Sequence, residues 1–68
     1  MQKNICIVGL GYVGLTLAVH AAKNGYRVFG VEILDETYEV ISKGKCHFHE
    51  PGIEELLKSL LNKNLFIS

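Results

Sequence analysis

The feature that most restricts what this chain can fold into is a group of three glycines, Gly9, Gly11 and Gly14, spaced as G-x-G-x-x-G. An apolar run over residues 5–8 comes directly before the group, and a helix-forming run over residues 15–22 follows it. This order is typical of a short buried strand that turns into a helix around a phosphate group. The sequence therefore predicts a phosphate-binding turn near its start.

Each glycine of this turn has a different predicted role. Gly9 lets the chain leave the strand in a tight turn, a Cβ on Gly11 would keep the backbone from a pyrophosphate, and Gly14 lets the helix lie close to the sheet. The free N–H groups and positive dipole end of the helix can hold an anion without Lys or Arg. The predicted phosphate-binding residues are Gly9, Leu10, Gly11, Tyr12, Val13 and Gly14.

A second strand is predicted over Tyr26–Glu32, after a helix from about Tyr12 to Asn24 that ends at Gly25. Strand, helix and strand joined this closely predict a right-handed parallel βαβ unit. Gly30, inside the second strand, indicates a place where another group approaches the backbone.

Glu32 is the candidate ribose ligand. It ends the second strand 18 residues after Gly14, near the spacing of about 20 residues at which such folds place an acidic residue on the adenosine ribose. A carboxylate accepts hydrogen bonds from both ribose hydroxyls and repels a 2′-phosphate. With no Lys or Arg over residues 33–35, NAD is favoured over NADP. The alternative is a solvated strand end without a ligand.

The rest of the chain continues the same α/β pattern. We predict a helix over Asp35–Lys43, an irregular connection over residues 45–49, a helix with Pro51 in its first turn, and a strand beginning at 65–67. The fold class is α/β: the N-terminal half of a Rossmann dinucleotide-binding fold, with a parallel sheet in strand order 3-2-1 and flanking helices. Residues 1–68 then form one partial NAD-binding domain, with no catalytic or substrate domain.

Burial can also be predicted. The continuous apolar first strand suits a parallel sheet covered on both faces, with Cys6 buried as a small hydrophobe. On the first helix, the predicted inward side is Gly14, Leu17, Ala18, Ala21 and Ala22, and on the second it is Tyr38 and Ile41. A leucine stripe on the last helix is Leu56, Leu57, Leu60 and Leu61. Left without partners, these leucines would drive self-association into a homo-oligomer.

Composition and charge exclude several functions. Seven Lys and Arg balance seven Asp and Glu, and their scatter predicts neither a nucleic-acid partner nor a membrane-binding face. The sequence has no signal-peptide or transmembrane pattern, which favours the cytoplasm. Cys6 and Cys46 are expected to be reduced thiols. Cys46, His47 and His49 lack a paired metal-ligand frame, so no metal site is predicted.

Beyond the glycine turn, longer segments resemble one known family. They are Ile7–Leu15 (IVGLGYVGL), Gly30–Ile33 (GVEI), Gly44-Lys45 and Glu50–Leu57 (EPGIEELL). The chain is similar over essentially its whole length to the N-terminus of the UDP-glucose/GDP-mannose dehydrogenases, which are NAD-dependent nucleotide-sugar dehydrogenases. The glycine pattern alone is weak evidence. Its combination with Glu-Pro-Gly-Ile-Glu-Glu-Leu-Leu at the right distance is strong evidence.

The resemblance implies that the turn at Gly9–Gly14 holds the NAD pyrophosphate and that Glu32 takes the place of the family's usual Asp on the ribose. Other departures from the family pattern are Thr16 for Pro, Leu34 for Asn, Thr37 for Lys or Arg, and His47 and His49 for Pro and Tyr. These departures affect the adenosine contacts and the connecting loop, not the pyrophosphate turn.

Family members oxidise the C6 alcohol of a UDP- or GDP-sugar to a carboxylate, through a thiol-bound intermediate and two hydride transfers to NAD. Their catalytic residues lie downstream of the matching segment, and Cys6 and Cys46 correspond to none of them. The resemblance thus implies no catalytic residue here and a nucleotide-sugar partner bound by other regions. Two alternatives stay open: a stand-alone, non-catalytic nucleotide-binding or self-associating module, and a different NAD enzyme that shares only the glycine pattern.

Overall fold

The structure, a computed structural model, describes residues 3–68 as three strands and three helices. They follow one another as β1 (Asn4–Val8), α1 (Tyr12–Lys23), β2 (Arg27–Val31), α2 (Asp35–Ser42), α3 (Ile53–Leu60) and β3 (Leu65–Ile67). The predicted order of elements is confirmed. Gly25 and Gly44, which end α1 and α2, have φ of +96° and +82°, the left-handed conformation expected after a helix.

The strands form one parallel sheet in which β2 lies between β1 and β3. β1 pairs with β2 from Asn4 opposite Arg27 to Val8 opposite Val31. β3 pairs with β2 from Val28 opposite Leu65 to Gly30 opposite Ile67. All three strands therefore end at one edge of the sheet, where the loops after β1 and β2 meet.

Only one face of this sheet is covered within residues 3–68, and the prediction of a sheet covered on both faces is wrong for this structure. Val28 and Leu65 are fully buried beneath the helices, whereas Cys6 is exposed, Val8 is 75% exposed and Phe29 is 39% exposed. The prediction of a buried Cys6 is therefore also wrong. Successive side chains of a strand point to opposite faces, so covering one face leaves alternate apolar residues exposed.

The prediction for the inward side of α1 is confirmed for Ala18 and Ala22 and wrong for Leu17. The buried residues of α1 are Leu15, Ala18, Val19 and Ala22, while Leu17 is 56% exposed. Because α1 is apolar over most of its circumference, helical periodicity alone does not decide whether the stripe with Leu15 or the stripe with Leu17 faces the sheet. The closeness of α1 to the turn at Gly9 selects the stripe that begins at Leu15.

In α2 and α3 the predicted core residues Ile41 and Leu57 are buried, but the predictions for Tyr38 and Pro51 are wrong. Ile41 is fully buried as predicted, whereas Tyr38 is 36% exposed, because two-turn α2 lies at the margin of the sheet. The leucine stripe of α3 packs on the core, with Leu57 fully buried. Pro51 lies in the turn before α3 and not in its first turn, because Gly52 caps the helix with φ of +86° and no helix can continue back through it.

Candidate dinucleotide-binding site

The turn after β1 is held against β2 by two contacts. The Gly9 amide donates to the carbonyl of Val31 at 2.8 Å, and Gly9 has φ of +89°, a conformation that glycine adopts without strain. Leu10 is fully buried, and a Cβ at Gly30 would lie 3.0 Å from its side chain. The close approach predicted at Gly30 is thus made by Leu10, which anchors the turn to β2.

Gly14 sets how closely α1 approaches this turn. A Cβ built on Gly14 would lie 1.9 Å from the carbonyl oxygen of Gly9, a separation that no side chain can have. The contacted atom belongs to the backbone, so no rotamer change relieves the clash. Glycine at position 14 is therefore required by the packing of the protein itself.

Gly11 has no such internal reason to be glycine. Its φ of −70° and ψ of −164° are open to any residue, and a Cβ at this position would meet no protein atom within 4 Å. Neither packing nor backbone conformation excludes alanine here. The side of Gly11 that a side chain would cover faces away from the protein, where a ligand can approach the backbone.

The N-terminus of α1 offers main-chain donors to such a ligand. The first amide to donate within the helix is that of Leu15, to Gly11 at 2.9 Å. No side chain caps the helix, and its first turn contains no acidic residue. Within residues 3–68, the amides of Gly11, Tyr12, Val13 and Gly14 have no protein acceptor. These donors and the positive end of the helix dipole suit an anion.

Glu32 reaches across to the same turn. One carboxylate oxygen accepts the Leu10 amide at 2.7 Å, and the other accepts the Leu34 amide at 2.9 Å. These bonds, from Leu34 and then Leu10, hold the pKa of Glu32 below its ordinary value. Each oxygen accepts about two hydrogen bonds, so the ionised carboxylate has a further lone pair on each oxygen for two hydroxyl donors.

A third part of the site, which the sequence did not predict, comes from the connection between α2 and α3. The Tyr12 hydroxyl donates to Glu50 at 2.9 Å, and the Tyr12 ring meets the edge of Phe48 with centroids 4.9 Å apart. The hydrogen bond and negative charge of Glu50 raise the pKa of the Tyr12 phenol. Tyr12 and Glu50 are 38 residues apart, and no sequence pattern pairs them; Glu50 stood out only as part of Glu-Pro-Gly.

Other candidate groups are not brought together. Cys6 and Cys46 are not bonded to each other. Across residues 3–68, no three His, Cys, Asp or Glu side chains converge as metal ligands. The same residues include no helix long and apolar enough to cross a bilayer. The groups that do converge are the amides at the start of α1 and the carboxylate of Glu32.

This convergence defines the class of the protein. A glycine turn between a parallel strand and a helix, facing an acidic residue at the end of the neighbouring strand, is the nucleotide-binding half of a Rossmann fold. The sequence profile of the UDP-glucose/GDP-mannose dehydrogenase family, NAD binding domain, matches residues 3–68. The chain belongs to this family, and NAD is the cofactor of the matching domain.

Individual relatives agree with this assignment. The chain is 45% identical over 64 residues to a UDP-N-acetyl-D-mannosamine dehydrogenase of Methanococcus vannielii, covering 93% of this chain and 15% of that protein. It is 44% identical over 54 residues to a GDP-mannose 6-dehydrogenase of Pseudomonas syringae pv. syringae, covering 79% of this chain and 12% of the relative.

The fold also matches that of a solved structure. The structure of a UDP-glucose dehydrogenase from Pyrobaculum islandicum superposes with a TM-score of 0.92 at 35% identity, covering all of this chain and 16% of the other. The chain thus spans roughly one seventh of the length of each of these three proteins. Its similarity to them is confined to the NAD-binding region.

Proposed function

We propose that this chain binds NAD through the turn at Gly9–Gly14 and Glu32, as the cofactor-binding part of a nucleotide-sugar dehydrogenase. Gly11, Tyr12, Val13 and Gly14 would present their amides to the pyrophosphate, Leu10 would anchor the turn through its buried side chain and its amide bond to Glu32, and Glu32 would accept the adenosine ribose hydroxyls. Bound NAD would supply the hydride acceptor for oxidation of the C6 alcohol of a UDP- or GDP-sugar to a carboxylate. The residues of this chain would bind and orient the cofactor and contribute no catalytic group.

The observation that carries the proposal is the contrast between Gly11 and Gly14. Gly14 is explained by packing against Gly9, whereas nothing inside the protein requires glycine at position 11. A ligand that must approach the main chain at the start of α1 supplies the missing reason. Glu32 supports a nucleotide in particular, since its ionised carboxylate is fixed beside the same turn.

Partners and location follow from the same proposal. The nucleotide sugar would be held by regions outside residues 1–68, which we propose form one partial cofactor-binding domain. NAD and nucleotide sugars are charged metabolites of the cytoplasm, where we place the protein, and the oxidised sugar would serve polysaccharide biosynthesis. The exposed apolar face of the sheet supports association of the domain with another polypeptide surface, including a second copy in a homo-oligomer.

The test of the cofactor assignment is a calorimetric titration of the chain with NAD and with NADP. We expect preference for NAD, because the Glu32 carboxylate repels a 2′-phosphate. Glu32→Gln removes this charge and should narrow the ratio of NAD to NADP affinity by about tenfold. Glu39→Gln is the matched control, since Glu39 is an exposed glutamate on α2 and the carboxylate that accepts the Leu10 and Leu34 amides is that of Glu32.

Two results would contradict the assignment. A wild-type preference for NADP would remove the role of Glu32, and equal effects of the two substitutions would show a general charge effect. The absence of catalytic groups is tested separately, by offering NAD and a UDP- or GDP-sugar to the isolated chain. No NADH should form, and NADH production would place catalytic residues within these 68 positions.

A further inference from the structure

The segment between α2 and α3 returns to the edge of the sheet where the turn at Gly9–Gly14 lies. Three of its residues make contacts there: Phe48 packs on Tyr12, Glu50 accepts the Tyr12 hydroxyl, and His47 packs on Phe48 with ring centroids 5.0 Å apart. A row of three rings, His47, Phe48 and Tyr12, therefore runs from this segment to the first turn of α1.

The segment is also held from the side of α3. The Cys46 amide, just before the three residues, donates to the Glu54 carboxylate at 3.0 Å. The segment therefore has a hydrogen bond to α3 and two contacts with Tyr12 at the start of α1.

Tyr12 is the residue on which this arrangement depends. It is the first residue of α1, its amide is one of the free donors at the helix start, and it is 54% exposed. A half-exposed tyrosine in a first turn has several accessible rotamers. The hydrogen bond to Glu50 and the edge contact with Phe48 select one of them and join the helix start to the segment.

We propose that the Tyr12–Glu50 hydrogen bond is a clasp that holds residues 47–50 against the start of α1 and so orders the cofactor site before NAD binds. Glu50 is a positioning residue in this proposal, acting through Tyr12 and not by contact with the cofactor. The proposal rests on NAD binding at this site. Pre-ordering strengthens binding because the ligand no longer has to fix the segment itself.

The experiment measures NAD affinity and unfolding free energy for matched variants of the chain. Tyr12→Phe removes the hydroxyl and keeps the ring contact with Phe48, while Glu50→Ala removes the acceptor. Each should weaken NAD binding by about fivefold, the effect of one hydrogen bond. The double variant should be no weaker than either single variant, because both remove the same interaction.

Two further variants separate the clasp from general effects. Glu50→Gln retains an amide oxygen that can accept the Tyr12 hydroxyl, and should bind NAD nearly as the wild type does. Glu55→Ala removes an exposed carboxylate from the first turn of α3, the end of the helix that Glu50 precedes. This variant should leave NAD affinity unchanged. With tyrosine labelled at Cζ with ¹³C, the Tyr12 phenol should titrate at lower pH in Glu50→Ala than in the wild type, because the pKa-raising partner is gone.

The outcomes distinguish this inference from the proposed function. If the wild type binds NAD while Tyr12→Phe and Glu50→Ala bind it equally well, the clasp has no role in the site and the inference fails alone. Additive losses, or lower stability with unchanged affinity, overturn it in the same way. If the folded wild type does not bind NAD, the proposed function fails and the inference fails with it.

Discussion

Gly11 and Gly14, three positions apart, differ in what the protein's own structure requires of them. Gly14 lies against the Gly9 carbonyl and is fixed by packing, whereas Gly11 has an ordinary backbone conformation and no neighbour within 4 Å of a built Cβ. The sequence pattern predicted both roles from spacing alone. The pairing of Tyr12 with Glu50 could not be predicted, because it depends on the path of an irregular connection that returns to the turn from 38 residues away.

Glu32 should titrate below the ordinary range of a glutamate. The Leu34 and Leu10 amides donate to its ionised form and lower its pKa. A group whose pKa is lowered by folding stabilises the folded chain at pH above its unfolded pKa, and this contribution is lost as pH falls through the folded value. A ¹³C NMR titration of the Glu32 carboxyl measures the midpoint, and the same titration in denaturant is the reference.

A folded-state midpoint equal to or above the one in denaturant would contradict the two hydrogen bonds. The matched variant is Glu32→Gln, whose neutral amide does not titrate. Its unfolding free energy should lack the part of the acid dependence that Glu32 contributes in the wild type.

At the scale of the elements, the sequence predicted which segments are helices and strands better than it predicted their orientation. Caps and glycines are local signals, so the ends of α1 and α2 were placed within a residue or two. The buried side of α1 is not a local property, because this helix is apolar nearly all round. The orientation of α1 depends on its contact with the turn at Gly9. Hydrophobic periodicity within the helix carries no information about that contact.

Leu15 and Leu17 test this orientation directly. Leu15 is fully buried and Leu17 is 56% exposed. Leu15→Ala should lower the free energy of unfolding by about 2–5 kcal/mol, through lost burial and a cavity, and Leu17→Ala by less than about 1 kcal/mol. Urea denaturation measures both values. Similar losses in the two variants, or a larger one in Leu17→Ala, would support the stripe predicted from the sequence instead.

The start of α2 lacks a side-chain cap and can be improved. Leu34 is the N-cap residue, has extended backbone angles and is 62% exposed. Leu34→Asn should therefore raise the free energy of unfolding by about 0.5–2 kcal/mol, since an Asn side chain at this position can accept a first-turn amide. Leu34→Ala is the control and should give no such gain in thermal or urea unfolding. Equal stability of the two variants would contradict the cap geometry.

At the scale of the whole molecule, the topology could be predicted and the layering could not. The short connections around α1 predict a parallel βαβ unit, and the strand order of the Rossmann fold predicts β2 in the middle; the structure has both features. The exposure of Cys6, Val8 and Phe29 was not predicted. An apolar strand indicates only that both faces of the sheet can be buried, and it does not indicate which face the helices of this chain cover. The covered face determines stability, and the edge of the sheet carries the proposed cofactor site.

Folding and cofactor binding should therefore be separable by single glycine substitutions. Gly14→Ala should destabilise the chain by about 1–3 kcal/mol or more, because its Cβ would overlap the Gly9 backbone. Gly11→Ala should change the free energy of unfolding by no more than about 1 kcal/mol, because the loss from Ala being a poorer N-cap than Gly is offset by the restriction that Ala places on the unfolded chain.

The most direct test of the account is the NAD dissociation constant of Gly11→Ala compared with that of the wild type, measured on chains shown to be equally folded. A single methyl group at position 11 should weaken NAD binding by tenfold or more, about 1.4 kcal/mol, because it would stand where the pyrophosphate is proposed to meet the main chain. Unchanged NAD affinity in a folded Gly11→Ala chain would contradict the proposed role of Gly11.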